Sequence, residues 1–171
     1  ALRGSFDKSF LDVPSQALIS AMKTHQKYFH ITDQETGALL PAFITVANIE
    51  SQQPSEVIAG NERVIRPRLS DAAFFFANDK RSTLSSRQDR LSSVVFQRQL
   101  GSLLDKTHRL DTLAASLAAA TGSAHDVTTR AAALAKCDLV SGMVLAFPQL
   151  QAIAGAHYPR HAGEPDRVPH P

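Results

Sequence analysis

Three arginines fall within six residues, at Arg63, Arg66 and Arg68, with Pro67 between the last two. A guanidinium is a planar fork of donors that matches phosphate or carboxylate oxygens two at a time. The stretch from Gly60 to Asp71 therefore supports two readings. In one, the arginines clamp a phosphate backbone, and Asn61 and Glu62 are base-reading or capping groups. In the other, Glu62 and Asp71 pair with the arginines in an internal network. A second polar-aromatic group is Thr24-His25-Gln26-Lys27-Tyr28-Phe29. His, Tyr and Phe rings can stack on unpaired bases, and a lysine can meet phosphate. Phe29 reads first as a core residue of a strand, while Lys27 and Tyr28 stay open to either use. In Phe74-Phe75-Phe76 the three rings point in different directions on a helix, so burial between layers is expected rather than a stacking platform.

A different chemistry is suggested by His108, within Asp105-Lys106-Thr107-His108-Arg109, and by Asp138, within Lys136-Cys137-Asp138. A histidine on one helix facing a His-Asp pair on the next is the metal-site layout of HD-type phosphohydrolases. Cys137 stands where the paired histidine is expected. The set is incomplete, which favours a metal-free helical relic, with His108 and Asp138 as weak metal candidates. No Gly-rich phosphate loop follows a strand, and neither G-x-S-x-G nor H-E-x-x-H occurs. These absences weigh against several common hydrolases and nucleotide binders.

The 171 residues suffice for one ordinary domain or two small ones, and 43% hydrophobic against 20% charged residues favours a packed core over disorder. The formal charge of +2 hides a gradient: residues 60–109 carry a balance of +5 and the remainder −3. A local basic excess attracts phosphates, although a solvated helix face has the same composition. Cys137 is the sole cysteine, so an intrachain disulfide and a cysteine-based zinc cluster are excluded. A cytoplasmic setting is expected, and no apolar run is long enough to span a bilayer. The first residues lack an initiator Met and the last are proline-rich, so both ends read as cut from something longer.

The elements that position these residues follow from their periodicity. Residues 6–14 read as an extended entry. A helix capped by Ser15, with Leu18, Ile19 and Met22 on one face, runs to Gln26. Strands are expected at Tyr28–Ile31 and around Phe43–Val46, joined by turn chemistry at residues 32–37. Helix follows Pro54, with a break or kink at Pro67. No strand is expected beyond residue 80. Helices are expected around residues 91–96 and from Leu103 to Gly122. A last strong helix, capped by Asp126, carries the seam Ala133, Leu134, Cys137, Val140, Val144 and Phe147 and is broken by Pro148. The fold class is α+β: a small antiparallel sheet with helices over 1–80, then an all-helical domain over 81–160, then a loop or tail over 161–171.

Several stretches together resemble one family. They are Phe10-Leu11-Asp12-Val13-Pro14, residues 22–29, residues 40–50, residues 60–72, residues 96–103, Asp105-Lys106-Thr107, Lys136-Cys137-Asp138-Leu139 and Met143-Val144. In order and spacing they are similar to the β subunit of two-subunit, bacterial-type glycyl-tRNA synthetase, over nearly all of residues 6–164. The sequence departs from that pattern after Gln151 and after Glu164. The resemblance implies part of an enzyme that charges tRNA with glycine using ATP and Mg. It places the ATP and glycine site on a separate α subunit, and it implies that the helical domain over 81–160 is HD-like. The implied partners are that α subunit, glycine tRNA and other domains of the β subunit. On this reading the segment holds no cofactor or catalytic residue of its own. It contributes tRNA binding through Arg63, Arg66, Arg68, Lys27 and His25, and it contributes subunit architecture. The alternatives are an HD-type metal-dependent phosphohydrolase and a purely architectural interaction segment.

Overall fold

A computed structural model describes residues 1–164 and Val168, with the side chains of His25, Arg160 and His161 outside the described set. The chain forms two units, Ala1–Phe76 and a second beginning at Ala77. The fold class is α+β, as the alternation of strand and helix patterns implies.

The first unit is built on a three-stranded antiparallel sheet in the order β1-β3-β2, from β1 (Leu2–Ser5), β2 (Phe29–Thr32) and β3 (Leu39–Thr45). Gly4 lies opposite Phe43, and a Cβ on Gly4 would sit 2.5 Å from Phe43 Cζ. Only glycine lets that ring lie against the β1 backbone. The turn between β2 and β3 is tied by Asp33, whose carboxylate accepts the backbone N–H of Glu35 and Thr36 and the Thr36 hydroxyl. Gly37 supplies the positive φ of 69° that closes it. Helix α1 (Ser15–Gln26) buries Ala17, Leu18, Ala21 and Met22, at helical spacing. Its N-cap is Pro14 rather than the expected Ser15. The expected extended entry over 6–14 instead holds a 3-10 turn at Lys8–Asp12, because the Asp7 carboxylate accepts the Ser9 N–H and caps it.

Helix α2 runs unbroken from Pro54 to Asp79. The break expected at Pro67 does not occur. Ile65, Leu69, Ala72 and Phe76 form one buried stripe at i, i+4, i+7 and i+11 across the proline. Pro67 itself is exposed, on the side of the helix away from this stripe, and the stripe prevails. Of the three adjacent rings only Phe76 is buried; Phe74 is exposed and meets Phe75 edge-on at 5.5 Å. The expected burial of all three is thus confined to the ring on the stripe.

In the second unit a 3-10 stretch (Ser85–Ser93) leads into a hairpin of β4 (Val95–Gln97) and β5 (Gly101–Ser102). Helix was expected around 91–96, and no strand. Leu91 is buried but Val95 and Phe96 are not, so this apolar run is not one helical face. Helix α3 (Leu103–Thr121) matches its expected span. Ser102 and Asp105 form a reciprocal capping box at its start, and Gly122, at φ 69°, ends it. Helix α4 (His125–Leu134) has Ala124 at its N-cap, with Asp126 inside the first turn. The single strong helix expected through Phe147 is divided instead. A 3-10 turn (Cys137–Val140), α5 (Gly142–Ala146), a second 3-10 turn (Pro148–Leu150) and α6 (Ile153–His161) follow α4. Most of the expected seam is nonetheless buried, including Leu134, Cys137, Val140, Val144 and Phe147. Ser141 makes the division: its hydroxyl donates to the Asp138 carbonyl at 2.6 Å and accepts the Val144 N–H at 3.2 Å. Of the tail expected over 161–171, residues 165–167 and 169–171 lie outside the described residues.

Candidate nucleic-acid interface

Lys27 ends α1 in the left-handed region, at φ 57°, with its side chain exposed. Of the two rings that follow, the first is buried and the second is not. Tyr28 is only 4% exposed and stacks on Phe43 at 4.6 Å between centroids, whereas Phe29 is 58% exposed. The reading of Phe29 as core is therefore corrected. The Tyr28 hydroxyl donates to Asn61 Oδ1 at 2.6 Å, and Asn61 Nδ2 donates to the Val57 carbonyl at 2.7 Å. Burial raises the Tyr28 hydroxyl above its ordinary pKa. Both residues are thereby engaged in holding the sheet to α2. The His25 side chain lies outside the described residues.

Glu62 is likewise turned inward to the sheet. One of its oxygens accepts the Ser5 backbone N–H at 2.7 Å and the Ser5 hydroxyl at 2.9 Å. It does not pair with the arginines as an internal network would require. Arg63, Arg66 and Arg68 are all exposed, and among the described residues none forms a salt bridge. At about 100° per residue, Arg63 and Arg66 lie about 60° apart on α2, but Arg68 lies about 140° or more from both. The helix thus brings two of the three together and sets the third on another side. Arg66 also borders an open cleft of about 480 Å³ lined by Ser5, Asp7, Ser9, Glu62 and Ser70, among others. Hydrogen bonds from Ser9 hold the Asp7 carboxyl below its usual pKa, and the Arg66 charge adds to them.

The second unit contains a buried polar cluster that no local motif foreshadows. Asp79, at the end of α2, accepts the backbone N–H groups of Gly142 and Met143 at 2.9 and 2.8 Å, so it caps α5. It also accepts the Tyr158 hydroxyl at 2.9 Å. Arg87, 4% exposed, approaches Asp79 at 3.5 Å, donates to the Asp79 and Ser82 carbonyls, and lies 5.3 Å from the Tyr158 ring centroid. Burial, then the Asp79 charge, push the Tyr158 hydroxyl far above its ordinary pKa. These groups are separated by up to 79 positions in sequence, which is why spacing could not reveal them.

The metal candidates are not brought into one site. His108 is exposed on α3. Asp138 is buried, and its Oδ2 accepts the Ala152 N–H at 2.6 Å; burial, opposed by backbone hydrogen bonds, raises its pKa. Cys137 is buried too, and burial followed by the neighbouring Asp138 charge lifts its thiol to about 11, which leaves it protonated near neutral pH. Among the described residues no group of three or more His, Cys, Asp or Glu is arranged to hold a metal ion. No helix among them is long and apolar enough to cross a membrane.

Comparison with known proteins is more specific than the fold class. The family described as glycyl-tRNA synthetase beta subunit matches residues 1–170. The glycine–tRNA ligase beta subunit of Chromohalobacter salexigens is 56% identical over 168 residues, which is 98% of this chain and 24% of that protein. The beta subunits from Hahella chejuensis and Pseudomonas fluorescens are 55% and 52% identical, over 98% and 96% of this chain and 24% of each relative. The chain belongs to the glycyl-tRNA synthetase beta subunit family, and it spans 24% of the length of these relatives.

Proposed function

We propose that this chain serves as part of the β subunit of glycine–tRNA ligase, where it contributes tRNA binding and subunit architecture to the ATP-dependent charging of tRNA with glycine. The adenylation site, with its ATP and Mg, lies on a separate α subunit, and no residue of this chain is assigned to the chemical step. The observation that carries the reading is the state of α2. Its neighbouring acid Glu62 is hydrogen-bonded to Ser5, while Arg63 and Arg66 stand together, exposed and without salt bridges among the described residues. Two adjacent guanidinium groups on a helix suit successive phosphates of an RNA backbone. Arg68 and Lys27 extend the basic surface on other sides. Phe29, rather than Tyr28, is the ring available to stack on an unpaired base. The HD-type phosphohydrolase reading finds no comparable support, because His108 is exposed while the Asp138 carboxylate is buried and bonded to backbone.

The test is a fluorescence titration of the chain with glycine tRNA and with a non-cognate tRNA over a salt series. Binding should weaken steeply with salt, and removing Arg63 and Arg66 should lower the slope by about one for each phosphate no longer neutralised. Tighter binding of glycine tRNA would indicate recognition beyond charge attraction. Absence of binding at low salt would remove tRNA handling by this segment alone and leave the architectural role.

A further inference from the structure

The cleft beside Arg66 combines groups that a phosphate clamp alone does not explain. One wall is α2, which presents Glu62, Arg66 and Ser70 at i, i+4 and i+8, along one line of the helix. The other is the segment from Ser5 to Phe10, which leads from β1 into the 3-10 turn. Hydrogen bonds fix that segment. The Phe6 N–H donates to the Pro41 carbonyl at 3.1 Å, the Phe10 N–H to the Asp7 carbonyl at 3.2 Å, and the Ser9 N–H to the Asp7 carboxylate at 2.8 Å. Phe6 and Phe10 are half-buried and give the cleft an apolar part. Its volume of about 480 Å³ lies within the usual range of small-ligand pockets, roughly 300–1,000 Å³, and is enough for a sugar and its phosphate.

The charges narrow the ligand. Arg66 forms no salt bridge among the described residues, and its forked donors suit an anionic oxygen. Two carboxylates, Asp7 and Glu62, share the cleft with it, so a bare phosphate would be repelled as well as attracted. An ammonium group would have to sit beside the guanidinium. A ligand with an anion and a neutral hydroxyl donor next to it satisfies both signs. Asp7 is already occupied in capping Ser9, and Arg66 balances its charge. Glu62 is occupied on one oxygen only. Its Oε1 accepts both Ser5 donors, which orients the carboxylate, and its Oε2 receives no hydrogen bond among the described residues. A hydroxyl donating to an ionised carboxylate makes a short, charge-assisted bond. In RNA such a hydroxyl stands beside a phosphate on every internal ribose, and DNA lacks it.

We propose that this cleft is a ribose subsite for RNA, in which Glu62 accepts the 2′-hydroxyl of one nucleotide and Arg66 holds the adjoining phosphate. The assignment rests on the tRNA reading above and adds to it a means of telling RNA from DNA, where a pair of arginines alone reads only charge. Arg63 does not line the cleft and serves phosphate only.

The experiment measures binding of the chain to glycine tRNA and to the same RNA with fluorine in place of every 2′-hydroxyl, which removes the donor and keeps the phosphates. The hydroxyl form should bind about tenfold tighter or more, the usual worth of a hydrogen bond to a charged group. Glu62→Gln keeps an oxygen for the two Ser5 donors, so the fold is retained, as circular dichroism checks. It removes the charge, so the preference should fall to about threefold or less, while the fluorinated RNA binds no more weakly than before. Arg63→Ala should weaken both RNAs by the same factor and leave the preference intact. A preference near one in the unsubstituted chain overturns the ribose subsite, and so does a preference that Glu62→Gln leaves unchanged. In either case salt-sensitive binding that Arg63→Ala weakens would still uphold the tRNA reading. Binding of neither RNA at low salt overturns both.

Discussion

Replacing Asp79 with asparagine should unfold the second unit more readily than any other single polar change there. The carboxylate is buried and receives three hydrogen bonds, from Gly142 N, Met143 N and the Tyr158 hydroxyl, at 2.8–2.9 Å. It also faces the Arg87 guanidinium at 3.5 Å, in a pair whose side chains are 4% and 7% exposed. Asparagine keeps the shape, yet removes the charge opposing a buried cation and turns one acceptor into a donor. Breaking a buried pair from one side typically costs about 3–5 kcal/mol, a large part of a domain's usual ~5–15 kcal/mol. Arg87→Met should cost less, because Asp79 retains its three hydrogen bonds. The double variant should cost less than the sum, with a coupling of about 1 kcal/mol or more. The assay is urea unfolding. The protein has no tryptophan and only two tyrosines, so in a Tyr28→Phe background the emission of Tyr158 reports the second unit alone. A cost below about 1 kcal/mol for Asp79→Asn, or strict additivity of the two substitutions, would refute the reasoning that the buried ion pair anchors this cluster.

Other outcomes follow from the same geometry. Tyr28→Phe, which strands Asn61 Oδ1 in a half-buried position, should destabilise the first unit by about 1–2 kcal/mol in a circular-dichroism denaturation, and no measurable change would refute the role of that bond. Gly4→Ala should disorder the pairing of β1 with β3, read as faster amide exchange along Leu2–Ser5, because its Cβ would collide with the Phe43 ring. Glu164 is held below the ordinary glutamate value of 4.5 first by the hydrogen bond from Arg130, whose Nε reaches both its oxygens at 3.1 Å. A lowered folded pKa contributes stability that is present above 4.5 and lost as pH falls through the folded value. Glu164→Gln should therefore flatten the acid limb of the unfolding midpoint below pH 4.5. Asp138 is shifted the other way, so its contribution survives in that variant with opposite sign. An unchanged acid limb would show that the Arg130–Glu164 pair does not persist in solution.

How far the sequence reached depended on the range of the interactions involved. Helices α1 and α3 were legible because their signals are local: the leucine and methionine periodicity of residues 18–22, and Gly122 after Leu117. The break at Pro67 and the single helix through Phe147 were misread because tertiary contacts override local rules. A continuous buried stripe carries α2 past its proline, and Ser141 and Asp79 start a new helix where the apolar seam runs on. The arginines were legible as residues, but their disposition on the helix depends on α2 being unbroken. The inward turn of Glu62, Asn61 and Tyr28 depends on the sheet beside it. The Asp79–Arg87–Tyr158 cluster had no local signal at all.

The most direct measurement is the charging kinetics of the complete enzyme carrying Arg63→Ala and Arg66→Ala in its β subunit. If these arginines hold the RNA backbone, the KM for glycine tRNA rises, and the rise grows with salt, while kcat and the KM values for glycine and ATP stay unchanged. Unchanged tRNA kinetics, or a loss in kcat or in the use of glycine or ATP with the tRNA KM unaltered, would contradict that role.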